Sequence, residues 1–456
     1  MSRYARRNLL RAAGLTVAIG TGAVTGSGAA AERTAAEAAT TNGTGGWSST
    51  RGDPGNTGFN PDATGPASPV ATAWSHDHAG RFAVADGTVY LATDDGPVHA
   101  IDATDGTLAW ETEITTADDG EAVEATGSPA VAHETVYVTA REPDPDLVAF
   151  DAATGDLRWR ANDLGYETNQ APVVANELVF VVADQILYAL DANSGERRWE
   201  FDPEPMPTDG GGTRGDPLQR EPVAVANGTV FAVSNNRLFA RAVDTGAERW
   251  TDTVDDWRSS TFSGRPIAAD GVVAVLKNDT VTIYDADTGA RRSTVPDSSL
   301  DILADDRVYA VTESGDADRS TVIGYEPTGA PVWQPSDDLE PIASAVAGSK
   351  AVYAGLEEAG GAAGVVALDR TDGSREWRVD TDATPRQLAV VDDTVYASGD
   401  SLVAIRTEGD DRGDDGSSGD SETTPGFTAG TGVASGALLL EWLRRRTATD
   451  GERRVE

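Results

Sequence analysis

The chain has 456 residues, and 75 acidic against 36 basic side chains leave a formal net charge of −39. That surplus excludes a protein gripping bare phosphate backbones, which needs an excess of Lys and Arg. A mean hydropathy of −0.34 without a long central apolar run excludes a polytopic membrane protein. The absence of cysteine removes disulfides, zinc fingers, iron–sulfur clusters and thiol catalysis.

Residues 1–31 read as an export signal. The pair Arg6-Arg7 is followed by Leu9, Leu10 and Arg11, then by a mild apolar run rich in Gly, Ala and Thr. The run ends at Ala29-Ala30-Ala31 before Glu32, a small-residue cleavage pattern placing the cut after Ala31. It is too weakly hydrophobic to be a stable membrane-spanning helix. The segment resembles a twin-arginine signal, which exports proteins already folded, and without Cys it carries no N-terminal lipoprotein anchor. Residues 32–46, rich in Ala, Thr and Gly, read as a disordered linker.

From residue 47 to residue 407 the chain repeats itself. The copies are AIDATDGTLAW (100–110), AFDAATGDLRW (149–159), ALDANSGERRW (189–199), ARAVDTGAERW (240–250), IYDADTGARRS (283–293), GYEPTGAPVW (324–333) and ALDRTDGSREW (367–377). Each carries a turn glycine: Gly106, Gly155, Gly195, Gly246, Gly289, Gly329 and Gly373. All but the fifth end in tryptophan: Trp110, Trp159, Trp199, Trp250, Trp333 and Trp377, with Ser293 in the fifth. Counting Trp74 from VATAW, the position recurs on average about every 43 residues, the length of a four-stranded propeller blade.

Within each unit, alternating runs such as TVYLAT are separated by glycine turns, the signature of hairpins. No helical periodicity of useful length interrupts them. The ring can also be closed. TVYASGDSLVAIRT (394–407) has inner strands without an outer Trp strand, whereas VATAWSH (70–76) has the outer strand alone. Joined, they make one blade and remove free edges. The expected fold is therefore all-β: an eight-bladed propeller of four-stranded antiparallel blades spanning residues 47–407.

Beyond it, residues 408–424 (EGDDRGDDGSSGDSETT) lack apolar side chains and read as an acidic disordered linker. Pro425-Gly426-Phe427, an apolar run over 428–443 and Arg444-Arg445-Arg446 follow, then a tail over 447–456. This order over 425–446 resembles the archaeal PGF-CTERM sorting signal, which implies processing near Pro425 and lipid or membrane anchorage. It departs from that signal in its short run, which contains Glu441, and in its tail; an unprocessed amphipathic tail is the alternative. Lysine occurs only at Lys277 and Lys350 and the acidic excess is spread evenly, a composition that resembles proteins of extreme halophiles.

The A-x-D-x-x-T-G-x-x-x-W repeat resembles that of the PQQ-like propeller family, over about residues 47–407. That family includes quinoprotein alcohol dehydrogenases and non-catalytic outer-membrane assembly lipoproteins of the BamB type. The resemblance implies, for the enzyme branch, PQQ with calcium, an adjacent-cysteine disulfide and often a haem-attaching CxxCH. Both cysteine motifs are missing here. The enzymes often begin with W-x-x-x-G-x-D-x-x-N-T-R-Y-S-P. Here WSSTRGDPGNTGFNP (47–61) keeps Asn56-Thr57 and replaces the next three positions with Gly58-Phe59-Asn60, so it reads as a structural strand.

Other candidates are sparse. His76 and His78 lie two apart, on one side of a strand, and could grip a metal; no third partner is visible, so they read as solvated strand histidines and no metal is expected. His99 and His133 complete the histidines. Asp285-x-Asp287-x-Gly289 resembles the start of a calcium loop, but Pro296 stands where the bidentate Glu belongs. The RGD triplets at Arg51, Arg214 and Arg412 are assigned nothing. Sequons at Asn42, Asn227 and Asn278 are acceptors for N-glycans on an exported chain.

Two long connections, 111–130 and 201–222, leave a Trp strand for the next blade and emerge on one face, where any partner site is expected; solvated decoration is the alternative. Deleting 203–219 is expected to spare the fold. No catalytic residue is assigned and no cofactor is expected. The reading is an exported, monomeric, non-catalytic propeller binding an envelope protein or glycan at the cell surface, and no nucleic acid. A carbohydrate or polymer-binding module, or a PQQ-dependent alcohol or sugar dehydrogenase, are the alternatives.

Overall fold

The computed structural model describes residues 46–409, apart from 117–119, 142–145, 163, 166–170, 209–210, 255, 257, 270, 297–298, 305–306, 314–318, 335–338 and 359–361. The proposed signal (Arg6, Arg7, Ala31), the sequon at Asn42 and the Pro425-Gly426-Phe427 segment lie outside the described residues. No helix among the described residues is long and apolar enough to cross a membrane.

Eight four-stranded antiparallel sheets follow one another along the chain. Blade 1 comprises Gly80–Ala85, Thr88–Thr93, Val98–Asp102 and Leu108–Thr112. Blades 2 to 7 repeat this order, and their outermost strands hold Trp159, Trp199, Trp250, Ser293, Trp333 and Trp377 in turn. Blade 8 takes Gln387–Val391, Thr394–Ser398 and Leu402–Thr407 from the end of the ring and Val70–His76 from its beginning. The closing strands pair from Val70 with Thr407 to His76 with Leu402, slipping once between Thr72 and Trp74. The expected closure is present, and it leaves no open edge between first and last blades.

The second strand of a blade is buried on both faces, as in Leu178–Ala183, because a neighbouring sheet packs against each side. The apolar clusters straddle neighbouring blades: Phe180, Val182 and Leu187 of blade 3 pack with Val230, Ala232 and Phe239 of blade 4. The recurring Trp and Gly of the repeat serve this junction. The indole of Trp159 lies over Gly195 in the next blade, where a Cβ would come within 2.6 Å of the ring. Its Nε1 donates to the Ala192 carbonyl at 3.0 Å. Trp74 repeats this over Gly106 and Ala103, and Trp110, Trp199, Trp250 and Trp333 over Gly155, Gly246, Gly289 and Gly373. The glycine therefore has two duties: Gly195 sits at φ +73° and gives the ring room.

Two junctions differ. Trp377 donates to Pro66, ahead of the closing strand. At Ser293 there is no indole, and Gly329 instead approaches the Thr294 carbonyl, 2.1 Å from where its Cβ would stand. The repeat Asp caps its own turn: Asp151 Oδ1 accepts from the amides of Ala153 and Thr154, while Oδ2 pairs with Arg158 at 2.8 Å. Asp285 does the same with Thr288 and Arg292, which hold its carboxyl down at about 2. It is a turn, as its spacing implied, and not a calcium loop.

The segment 47–65 forms an axial hub. Trp47 pairs with Val84 of blade 1, and the amides of Val131, Val225, Ala268, Leu303 and Ala347 donate to the carbonyls of Ser48, Pro54, Gly55, Thr57 and Gly58. Asn60 Nδ2 reaches Val390 of blade 8 at 3.0 Å. Asn56, left-handed at φ 60°, donates to Val223 and Pro266. One short stretch thus touches the innermost strands of seven blades in ring order; the segment expected to be a strand is instead a run of turns and bends with isolated bridges at Trp47 and Phe59, because it crosses the strand ends one blade after another and pairs with each at only one or two residues.

Candidate functional site

The innermost strands begin at one end of the axis and reach the hub at the other. At the open end they surround a mouth of about 320 Å³, lined by Arg51, Arg81, Arg265 and Arg386, with Asp94, Asp301 and small polar residues. None of the lining residues is aromatic. Arg51 comes from the hub, Arg81 and Arg265 lie on the innermost strands Gly80–Ala85 and Phe262–Ala269 of blades 1 and 5, and Arg386 immediately precedes Gln387–Val391 of blade 8. Arg51 is buried and donates to the Asp301 carbonyl. Burial, reinforced by the Arg265 guanidinium, lowers its pKa to about 9. The Nε atoms of Arg51 and Arg265 and the hydroxyls of Thr50 and Ser128 find no hydrogen-bond partner among the described residues. In a chain of net charge −39, this clustering of guanidinium groups is a local reversal of sign. An acidic group entering the mouth would find bidentate donors already partly desolvated.

The two long connections lie on the same face, as expected, but they are not free decorations. The first forms a hairpin of Ile114–Thr115 with Ala122–Val123, and Ile114 is buried in the core between blades 1 and 2. The second forms a hairpin of Met206–Pro207 with Thr213–Arg214. It is rooted by Asp216, 2% exposed, which accepts from Arg237 Nε at 2.7 Å, Asn236 Nδ2 at 2.6 Å and Ser234 Oγ at 2.6 Å. Leu218 is buried with blades 3 and 4. Deletion of 203–219 would therefore strip a buried ion pair and a core side chain, and the expectation that it spares the fold is corrected. Asp216→Ala should cost about 3–5 kcal/mol, because Arg237 keeps its charge in a largely buried place. Shortening only the tip between Pro207 and Thr213 should leave the melting temperature unchanged. Thermal melts of the two variants side by side check this.

The histidine pair is also not what its spacing implied. His76, at the end of the closing strand, and His78 meet His99 from the third strand of blade 1, with His76 Nε2 and His99 Nδ1 3.0 Å apart. His99 is buried and His76 half-buried, so they are not solvated strand positions. The sequence offered no sign of His99: it lies in a different blade from the closing strand. His133 occupies an exposed turn. Asn227 and Asn278 are exposed at turns with φ of 48° and 54°.

A closed eight-bladed ring sealed by tryptophan-on-glycine junctions defines the class of PQQ-like propellers. The family model described as outer membrane protein assembly factor BamB matches residues 31–142, 118–294 and 255–414, and the chain belongs to that family. BamB of Bordetella pertussis is 27% identical over 243 residues, 50% of this chain and 58% of that protein. 1-Butanol dehydrogenase (cytochrome c) of Thauera butanivorans is 31% identical over 136 residues, 27% of this chain and 20% of that enzyme. The chain thus spans a fifth of the length of that dehydrogenase and a little over half of the assembly factor. Among solved structures, BamB from Moraxella catarrhalis aligns at a TM-score of 0.56 with 21% identity, over 74% of this chain and 99% of that one. The quinohemoprotein alcohol dehydrogenase of Comamonas testosteroni aligns at 0.60 with 15% identity, over 81% and 83%. At these identities both structures show the shared fold alone.

The residues of the mouth do not fit a PQQ–calcium pair. A flat conjugated quinone needs a ring or disulfide face to rest on, and none lines the mouth. Calcium needs six to eight oxygen ligands. The mouth offers two Asp residues among four Arg, and Asp301 Oδ2 already accepts from the Val311 amide at 3.0 Å.

Proposed function

We propose that this chain is an exported, non-catalytic propeller that binds a protein partner at the cell surface through the face carrying the mouth and the two hairpins. The observation that carries the reading is the mouth's lining: guanidinium groups and small polar side chains, with no aromatic surface and no cysteine. Membership of the assembly-factor family supports it, as do ordered hairpins mounted on a rigid ring, the usual setting for binding loops. The export signal and the C-terminal sorting segment supply the address.

Titration of the folded chain with PQQ and Ca²⁺ in high salt, beside a dye-linked alcohol oxidation assay, is expected to give neither saturable binding nor turnover. Saturable binding with turnover would overturn the reading. A photo-crosslinking side chain placed at Thr208, on the hairpin, should capture a protein that the same group at Thr245, on the opposite face, does not.

The arginine mouth favours a second reading, an envelope polymer-binding module that takes a carboxylate-bearing glycan. Titration with polygalacturonate would separate the two: Arg265→Gln would weaken glycan binding and leave the Thr208 crosslink intact.

A further inference from the structure

We propose that His76, His78 and His99 form a binding site for a divalent transition metal of the zinc class, set across the seam where the ring closes. His76 ends the closing strand Val70–His76, His78 lies two residues on, and His99 stands near the start of Val98–Asp102 in blade 1. One ligand nitrogen from each falls within 4.8 Å of the others. The His76 Nε2 to His99 Nδ1 separation of 3.0 Å is a few tenths of an ångström short of the spacing of about 3.3 Å that two nitrogens at 2.0–2.1 Å adopt on a tetrahedral ion. His78, with a side chain 43% exposed on the connection after the strand, has the freedom to close the remainder.

The outer atoms are arranged to match. Asp95 Oδ2 lies 3.4 Å from His78 Nδ1, which leaves the Nε2 of that ring for the metal. Glu111 Oε2 lies 3.7 Å from His99 Nε2, which leaves Nδ1 for the metal. Carboxylates behind ligating imidazoles fix the tautomer and raise the basicity of the ligand. Burial, then the neighbouring His78, shifts His76 and His99 below the usual histidine range, the direction that favours the neutral imidazole.

Three imidazole nitrogens select zinc, copper, nickel or cobalt over the calcium and magnesium that a carboxylate surface attracts. With three protein ligands, a fourth position stays open to water or to a side chain from a partner. A metal here also ties the closing strand of blade 8 to blade 1, so binding to the closed ring raises its stability.

The full chain, stripped with chelator, is titrated with Zn²⁺ and separately with Co²⁺, whose visible absorption reports nitrogen coordination. One equivalent is expected to bind, with a rise in melting temperature that follows Zn²⁺ concentration. His78→Gln, at an exposed position, should leave the metal-free melt unchanged, weaken Zn²⁺ binding at least about tenfold and abolish the visible Co²⁺ band. Glu111→Gln should weaken binding and keep the band. Absence of a saturable equivalent, or an equivalent that survives in the His76→Gln/His78→Gln double variant, overturns the proposal.

Discussion

Deleting residues 1–76 is expected to abolish the cooperative melt of the ring, whereas deleting residues 1–45 is expected to leave it unchanged. The first deletion removes the hub and the closing strand together. The amides of Val131, Val225, Ala268, Leu303 and Ala347 lose their acceptors, each worth about 1 kcal/mol net. Trp47, wholly buried between hub and blade 1, goes with them. The strand Leu402–Thr407 becomes an open edge, and the turn at Gly106 loses the indole of Trp74 that covers it. Together these losses reach the 5–15 kcal/mol by which a folded domain is stable. Calorimetry of the two truncated chains checks this; a sharp transition at the original temperature in the shorter chain would show that neither hub nor strand holds the ring.

The second large effect belongs to the junctions. Trp159→Ala should cost about 3–5 kcal/mol, since the indole is 8% exposed and packs at 5.8 Å from the Tyr137 ring. Gly195→Ala should cost about 2–4 kcal/mol: part is the left-handed backbone at φ +73°, part the methyl meeting the Trp159 ring 2.6 Å away. The ring cannot retreat, because its Nε1 is tied to the Ala192 carbonyl. Once Trp159 is removed the methyl has space, so the double variant should be more stable than the sum of the singles by about 1–3 kcal/mol. Strict additivity in denaturant melts would mean that the indole does not rest on the glycine.

The architecture was legible because the features that build it recur. Trp, Gly and Asp reappear at one phase of every blade, and VATAWSH at one end of the repeat region complements TVYASGDSLVAIRT at the other. The double duty of the glycine was not legible: its partner indole belongs to the preceding copy, so a single copy shows only a turn. The hub escaped because its bonds run from backbone to backbone and leave a trace only in left-handed positions such as Gly52, Asn56 and Gly58.

The site residues were harder still. Arg51, Arg81, Arg265 and Arg386 form no motif in the chain. Aligning the innermost strands by their ladders would have put Arg81 and Arg265 at the same phase, with Gln387 in that place in blade 8 and Arg386 one residue before it. For the histidines, the two-residue spacing of His76 and His78 was plain. Their meeting with His99 follows from ring closure, which sets the last blade's outer strand beside the first blade. The burial of Asp216 and Leu218 likewise had no local sign, since a Pro- and Gly-rich stretch reads as loose whatever it packs against.

The hub has a bearing on how fast the ring can form. Asn60 bonds to Val390, 330 residues further along the chain. Bringing such distant segments together carries a loop-closure entropy that no local hairpin offsets in advance. Individual blades can assemble early from contacts within about 43 residues, but the step that joins first strand to last must come at the end and be slow. Until it happens, Leu402–Thr407 presents an unpaired edge to every other chain nearby. The dispersed negative charge, which keeps chains apart, is then a protection for the folding intermediate as much as a property of the finished surface.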